Sequence, residues 1–217
     1  MPKDFLIVIP ARKGSSFHRK NLQLVNGKPL CQYTFEASEI LIPHETILTT
    51  NDHYVIDEAK NYDFLIDSRP ENLSDDKATL DDVMFYIANT YSDYKNYVCL
   101  PPTSPLRTKT HVTEAIEKFI SSKADSLISV TEELKSIWTT DEDNFIRPLI
   151  ERTQNRQQVK PCYISNGAIF ISKRELIIKN RQKASGKTIL HLMDQKSSVD
   201  VHSVEDLKLA EHFLKER

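Results

Sequence analysis

The feature that most constrains the fold is a continuous apolar run near the N-terminus, FLIVI at residues 5–9. A run without alternating polar residues is typical of a strand buried on both faces, as in a parallel sheet that is covered by helices. Further short apolar runs predict additional strands at 47–48, 64–66, 97–100, 126–130 and 168–171.

Helical patterns separate these predicted strands. Apolar residues recur with the spacing of one helix face at Val112, Ala115, Ile116, Phe119 and Ile120. Segments 30–38, 53–61 and 79–90 also have helical character, and Ser203 with Asp206 predicts the capped start of a last helix. The alternation predicts an α/β fold with a doubly wound, mostly parallel sheet in a three-layer α/β/α arrangement.

Length and charge exclude several classes of protein. The 217 residues suit one α/β domain, and a net charge of -2 gives no general field that would attract nucleic acid or a membrane surface. No segment has the length of a membrane span or the pattern of a signal peptide, so we expect a cytoplasmic protein. The odd set of Cys31, Cys99 and Cys162 predicts reduced thiols.

The loop after the first predicted strand is rich in cationic and small residues. Gly14 and Ser15 allow backbone N–H groups to approach an anion closely, while Arg12 and Lys20 supply positive charge for phosphate. Because ligands of open α/β sheets lie at the carboxyl ends of strands, the loop suits a nucleoside triphosphate. It contains neither a Walker A motif nor a G-x-G-x-x-G turn, and its alternative is a solvated basic loop.

A second loop, PTSPLR at 102–107, follows the strand predicted at 97–100. Its two prolines stiffen the turn, and Thr103 and Ser104 offer hydroxyl groups to a ligand. Arg107 either binds a substrate anion or holds the loop by hydrogen bonds.

Four blocks together resemble the acylneuraminate cytidylyltransferase family, which includes CMP-sialic acid and CMP-Kdo synthetases. They occur in the order that the family shows and span nearly the whole chain. The blocks are the first loop continued by NLQLVNGKPL, then RPENLSDD at 69–76, PTSPLR at 102–107, and RQQ at 156–158 with NGA at 166–168.

The resemblance implies a single Rossmann-like nucleotidyltransferase domain over 1–217. It implies transfer of CMP from CTP to a sialic-acid-like 2-keto-3-deoxy sugar acid, with release of pyrophosphate, in lipopolysaccharide or capsule biosynthesis. It also implies a homodimer, with a dimerisation insertion at 135–165, where the periodic pattern of the sequence weakens. No nucleic acid and no membrane is expected as a partner.

The resemblance also assigns residues to the nucleotide. These are Ala11, Arg12, Gly14, Ser15, Lys20, Asn21, Arg69, Asp76 and Thr79. Arg12 and Lys20 are expected to be catalytic as well, because cations offset the charge that develops as pyrophosphate leaves. Arg69 has an ion pair with Asp76 as its alternative role, and Thr79 has a helix cap.

The substrate-binding residues implied by the resemblance include Thr103, Ser104 and Arg107, and they continue with Arg156, Gln157, Asn166 and Gly167. A guanidinium suits the carboxylate of a sugar acid, although Arg156 and Gln157 have a subunit interface as their alternative. Gly167 allows close backbone approach to a ligand, and a plain turn is the alternative for Asn166 and Gly167.

Asp200 is the expected ligand of Mg²⁺ and the third catalytic residue, because a hard carboxylate oxygen suits this ion. Where family members often have a second aspartate, this chain has His202, which makes Mn²⁺ an alternative. Two further departures are Ser16 in place of a common lysine and Pro101 in place of a common glutamine. They leave open another nucleotide, a sugar 1-phosphate, or a catalytically silent nucleotide-sugar binding protein.

Overall fold

The computed structural model describes residues 3–13, 18–149 and 161–217. In chain order, the strands of these residues are β1 (Lys3–Pro10), β2 (Leu24–Val25), β3 (Lys28–Pro29), β4 (Glu45–Thr50), β5 (Leu65–Ser68), β6 (Tyr94–Cys99), β7 (Ser126–Glu133), β8 (Trp138–Thr140), β9 (Ile146–Pro148), β10 (Cys162–Lys173) and β11 (Thr188–Leu192). The helices are α1 (Leu30–Ser38), α2 (His53–Glu58), α3 (Leu80–Thr90), α4 (Lys109–Ser122), α5 (Arg174–Asn180) and α6 (Val204–Lys215), with short 3-10 helices at Lys20–Leu22 and Glu71–Leu73.

Seven strands form one mixed sheet in the order β11-β7-β10-β6-β1-β4-β5. The pairs β1–β4, β1–β6, β4–β5 and β7–β11 are parallel, whereas β10 runs antiparallel to both β6 and β7. The predicted α/β fold with a mostly parallel sheet is therefore confirmed. Two small hairpins, β2–β3 and β8–β9, lie outside this sheet.

The central strand β1 explains the layered architecture. Its residues 6–9 are completely buried, and their side chains alternate between the two faces of the sheet. Ile7 and Ile9 pack in one core cluster with residues of α1 and α4. Leu6 and Val8 pack in a second cluster with residues of α3 and α5. Helices thus cover both faces, as the continuous apolar run predicts.

A third, smaller cluster supports the carboxyl edge of the sheet, where strands β1 and β6 end. It joins the β2–β3 hairpin and α6 to the 102–107 loop, and its buried members are Val25, Leu30, Leu106, Val199, Val201 and Ala210. Ser203 and Asp206 form the predicted capping box at the start of α6. This packing fixes the segment before α6 beside the loops of the sheet edge.

The weakly patterned region after β7 contains the β8–β9 hairpin and the start of β10. The proposed dimerisation role of 135–165 stays a prediction, and residues 150–160 lie outside the described ranges. Cys31, Cys99 and Cys162 are buried, and no disulfide bond joins them in the described ranges. Within the described ranges, no helix combines the length and the apolar character that crossing a bilayer requires.

Candidate active site

A cleft of about 670 Å³ opens at the carboxyl edge of the sheet. Three of its lining residues lie at or just after the carboxyl ends of strands: Pro10 ends β1, Arg69 follows β5, and Pro101 follows β6. This is the edge at which open α/β sheets bind ligands.

Most of the described residues that the sequence predicts for the site line this cleft. They are Arg12, Lys20, Asn21, Arg69, Asp76, Thr79, Thr103, Gly167, Asp200 and His202. Gly14, Ser15, Ser16, Arg156 and Gln157 lie outside the described residues.

Sequence reasoning missed the apolar side of the cleft, which Leu80, Val83 and Phe170 contribute from α3 and β10. In the sequence, these residues are indistinguishable from ordinary core positions because Val83 and Phe170 also pack in the core cluster of that face. Only the meeting of α3 with β10 in three dimensions exposes one side of them to the cleft.

Arg12 connects the first loop to the block at 69–76. Its Nη1 atom lies 2.9 Å from Oδ1 of Asp76 and donates to the carbonyl oxygen of Asp75 at 2.6 Å. The alternative role predicted for Arg69, an ion pair with Asp76, is therefore wrong, because Asp76 pairs with Arg12 instead. The Asp76 side chain is 92% exposed, so water screens this pair strongly.

Lys20 is a buried cation in the cleft, with only 7% of its surface exposed. Burial lowers the pKa of its ammonium group, nearby Asp200 opposes that shift, and Arg12 adds to it. Asn21 supports the same loop, because its Nδ2 donates to the carbonyl oxygen of Arg12 at 3.1 Å. Ala11 is completely buried, and its backbone N–H donates to the carbonyl oxygen of Thr49 on β4 rather than facing the cleft.

Arg69 and Thr79 line the cleft from the other side. The guanidinium of Arg69 donates through Nη2 to the carbonyl oxygen of Thr49 at 2.8 Å. Burial lowers the pKa of Arg69 to about 10, so it stays protonated at neutral pH. Thr79 forms a capping box with Asp82 at the start of α3, which favours its structural alternative.

Arg107 does not line the main cleft, and the substrate-anion role expected for it requires correction. The residue is buried, and Nη1 donates to the carbonyl oxygens of Pro101 at 3.1 Å and Ala168 at 2.6 Å. Nη2 donates to the hydroxyl of Thr34 at 2.6 Å. Arg107 therefore anchors the 102–107 loop to β10 and α1, which was the alternative that the sequence left open.

Ser104 and Asn166 also lie behind the cleft rather than in it. Ser104 is buried and its hydroxyl has no hydrogen-bond partner among the described residues. Asn166 accepts from the hydroxyl of Ser129 at 2.6 Å and donates to that of Ser198 at 2.7 Å. Its amide is thus used to hold β10 to its neighbours, and the direct substrate contact expected for it is not supported.

Asp200 faces the cleft beside Gly167, at the point where the pairing of β10 with β7 shifts register. Oδ2 of Asp200 lies 2.8 Å from Nε2 of His202, while Oδ1 is buried and has no partner among the described residues. A buried carboxylate oxygen without a protein partner is able to accept a cation or a water molecule. The N–H of His202 donates to Asp206, which fixes the histidine against α6.

The donor set at Asp200 fits Mg²⁺ only if a nucleotide completes it. In the described part of the chain, no three His, Cys, Asp or Glu residues are grouped so that they could hold a metal. Mg²⁺ commonly binds one or two protein carboxylates and takes its other ligands from phosphates and water. The single free oxygen of Asp200 suits this mode of binding.

The chain matches a known protein family over the residues that form this cleft. A family model described as cytidylyltransferase matches residues 6–204, which include every described residue of the cleft. The chain belongs to the cytidylyltransferase family. The resemblance that the four sequence blocks suggest is confirmed by this match.

Individual relatives of the family are moderately similar. An N-acylneuraminate cytidylyltransferase from Escherichia coli is 31% identical over 97% of this chain, and this chain spans only 52% of the length of that relative. A CMP-N,N'-diacetyllegionaminic acid synthase from Legionella pneumophila is 29% identical, over 96% of this chain and 95% of that protein.

A solved structure has the same fold as this cytidylyltransferase family member. It is a CMP:2-keto-3-deoxy-manno-octonic acid synthetase complexed with CTP, with a TM-score of 0.72 and 14% identity over 99% of both chains. At this identity the likeness establishes the fold.

Proposed function

We propose that this chain transfers a cytidylyl group from CTP to the anomeric hydroxyl of a 2-keto-3-deoxy sugar acid. The observation that carries the proposal is the gathering of Arg12, Lys20 and Arg69 with Asp200 in one cleft at the carboxyl edge of the sheet. Three cations in a partly buried cleft favour a polyanion such as a triphosphate.

The chemistry follows from these charges. The anomeric oxygen forms a bond to the α-phosphorus, and the bond from that phosphorus to the bridging oxygen breaks. Pyrophosphate leaves with the electron pair of that bond, and the hydroxyl proton passes to water. Arg12 and Lys20 are proposed to offset the charge on the leaving pyrophosphate. Catalysis by this route requires positioning and charge neutralisation and no covalent intermediate.

The proposed metal ion is Mg²⁺, with Mn²⁺ as its alternative, held by Oδ1 of Asp200. When bound there, it would supply neutralising charge to the phosphate oxygens. His202 already holds Oδ2 of the same carboxylate, so we propose that it orients Asp200 and is not itself a ligand. This arrangement leaves one defined oxygen for the ion.

The sugar is proposed to occupy the side of the cleft formed by Gly167, Thr103 and the apolar residues Leu80, Val83 and Phe170. Apolar contacts and a few hydroxyl or backbone groups are typical of the recognition of a small ligand. Relatives named for sialic, legionaminic and pseudaminic acids have comparable identities to this chain, so each of these acids is a candidate. Arg156 and Gln157 stay predicted ligands of the carboxylate.

We also propose that the chain forms a homodimer through the 135–165 region. Exposed apolar side chains gather around the β8–β9 hairpin at Trp138, Phe145, Ile146 and Leu149. A group of exposed large apolar residues marks protein–protein contact surfaces. Light scattering after size-exclusion chromatography tests this proposal, and a monomer at micromolar concentration contradicts it.

The deciding experiment is a matrix of nucleotides against sugar acids with pyrophosphate release as the readout. CTP with a sialic, legionaminic, pseudaminic or Kdo-type acid should give turnover that the other pairs do not. Faster turnover with GTP or UTP refutes the choice of CTP and favours the alternative that Pro101 suggests, because this side chain in the cleft cannot hydrogen-bond a base. Turnover with a sugar 1-phosphate refutes the sugar acid.

A catalytically silent binder would behave differently in the same assay. CTP would raise the melting temperature through binding to the folded state, yet no pair of substrates would release pyrophosphate with Mg²⁺ or Mn²⁺. Measuring the melting temperature beside the turnover matrix therefore separates this alternative from the enzyme.

A further inference from the structure

Asp67 on β5 carries a buried carboxylate, with only 5% of the residue's surface exposed. It accepts three hydroxyl hydrogen bonds: Oδ2 from Thr49 at 2.6 Å, and Oδ1 from Tyr86 at 3.0 Å and Tyr91 at 3.1 Å. Burial and the Asp67 charge raise the pKa of Tyr91 to about 12, so the phenol stays a donor. Both oxygens of the Asp67 carboxylate are thus held by hydroxyl donors.

Thr49 connects this carboxylate to the cleft. Its hydroxyl donates to Asp67 and also accepts from Nε of Arg69 at 3.4 Å, while its carbonyl oxygen accepts from Nη2 of Arg69 at 2.8 Å. A hydroxyl has one proton to donate. Because the Thr49 hydroxyl donates its proton in the hydrogen bond to Asp67, only the lone pairs of its oxygen are directed to the guanidinium.

Arg69 lines the cleft, and its guanidinium is held by Thr49 on one edge. It makes no ion pair with a carboxylate among the described residues, and its recorded hydrogen bonds go to Thr49 through Nε and Nη2. The nearby negative charge of Asp67 opposes the effect of burial on the guanidinium without contacting it directly. Thr49 thus supports the Nε and Nη2 edge of the cation, and Nη1 makes no hydrogen bond to any described residue.

We propose that Asp67 is a positioning residue for nucleotide binding, which acts through the Thr49 hydroxyl to orient Arg69 toward the triphosphate. The proposal rests on the proposed function, because it takes CTP as the ligand of the cleft. Tyr86 and Tyr91 hold the other oxygen of Asp67 and complete the buried network.

Thr49→Val is the most direct test, since it removes the hydroxyl that links Asp67 to Arg69 and keeps a side chain of similar shape. We expect CTP binding to be about tenfold weaker by titration calorimetry, because the Arg69 guanidinium is no longer held in the orientation that donates to the triphosphate. kcat at saturating CTP should change less than about threefold while KM for CTP rises. Thr49→Ser restores the hydroxyl and should bring CTP affinity back toward the wild type.

Tyr94→Phe is the matched control, because it removes a tyrosine hydroxyl that donates to a carboxylate, Glu45, where β6 and β4 begin, at the edge of the sheet opposite the cleft. It should lower the melting temperature without weakening CTP binding more than about twofold. Asp67→Asn should weaken CTP binding in parallel with Thr49→Val. If Asp67→Asn does not fold, the Thr49→Val and Thr49→Ser pair still decides.

Two outcomes overturn the proposal. One is wild-type CTP affinity in Thr49→Val, and the other is an equal loss of affinity in Tyr94→Phe, which would indicate general loosening of the fold. If the wild-type chain itself does not bind CTP, it is the proposed function that fails, and the two failures are therefore distinguishable.

Discussion

A Cβ atom at Gly167 would lie 2.8 Å from Oδ2 of Asp200. That distance is shorter than any ordinary contact between a carbon and an oxygen atom, so the absence of a side chain at Gly167 is what lets the carboxylate lie against β10. Gly167 also has a φ of +72°, which other residues adopt only with strain. Gly167 thus meets two requirements beside the proposed metal ligand Asp200: a positive φ and the lack of a side chain.

Gly167→Ala is expected to displace Asp200 and to lower turnover by about tenfold or more, because small misplacements of reacting groups are costly. Gly27→Ala is the matched control, since Gly27 has a φ of +77° and nothing within 4 Å of its Cβ position. Both variants should lose about 1 kcal/mol of stability from backbone strain, and only the first should lose activity beyond that. Pyrophosphate release and thermal melting measure the two effects, and equal activity losses would contradict the prediction.

Asp200→Asn is expected to weaken binding of the divalent ion and to lower turnover by about 100-fold, because the amide removes the charge and keeps the shape. Electron paramagnetic resonance of Mn²⁺ in the presence of CTP measures the binding, and addition of a chelator to the wild type should abolish turnover. Asp194→Asn is the control, since Asp194 accepts from the Ser197 backbone N–H outside the cleft. Unchanged Mn²⁺ binding in Asp200→Asn would remove this residue from the metal site.

Arg107→Met tests the anchoring role of this arginine. The substitution leaves two buried carbonyl oxygens and the Thr34 hydroxyl without their donor, so the free energy of unfolding should fall by about 3 kcal/mol. Urea unfolding measures the loss. Lys109→Met is the control, because Lys109 is exposed and close to Arg107 in the chain, and this substitution should lower the free energy of unfolding by less than about 0.5 kcal/mol. Unchanged stability with a raised KM for the sugar acid would instead support the substrate role.

The parts of the fold that depend on local pattern could be predicted from the sequence. The apolar run at 5–9 gave the buried central strand, α1 spans the predicted 30–38, and Ser203 with Asp206 caps α6 as expected. These features are set by residues near one another in the chain. The reversed direction of β10 was not visible, because strand direction depends on which distant strands it joins.

The candidate site divides in the same way. Arg12, Lys20 and Asp200 could be found because their residue types and flanking motifs indicate phosphate and metal chemistry. The role of Arg107 could not, because one of its acceptors is the Ala168 carbonyl, 61 positions away in the chain. The apolar residues of the cleft could not be found either, since a core pattern does not tell which side of a residue a cavity exposes.

His191 predicts a loss of stability in acid. It lies on the edge strand β11, where it is 7% exposed, and its Nε2 has no hydrogen-bond partner among the described residues. Burial lowers its pKa, Glu114 opposes that shift, and His111 and Lys118 add to it. All three of these charged or titratable neighbours belong to α4.

The sign of the effect follows from the lowered pKa. The unfolded chain binds a proton at His191 near its ordinary pKa of 6.5, whereas the folded chain resists protonation until a lower pH. Stability is therefore fully present above about pH 6.5, and it is lost as the pH falls from there toward the folded pKa. His111 adds to the same acid limb, because burial lowers its pKa as well.

His191→Gln should therefore flatten the acid limb of melting temperature against pH, measured from about pH 8 to pH 5, although it also lowers stability at pH 8. His212→Gln, on the exposed side of α6, is the matched control and should leave the slope of that limb unchanged. An acid limb as steep in His191→Gln as in the wild type would show that other groups, such as paired carboxylates, set the acid sensitivity. Because β11 is an edge strand held by β7 alone in the described sheet, the loss should appear first as faster amide exchange in β11.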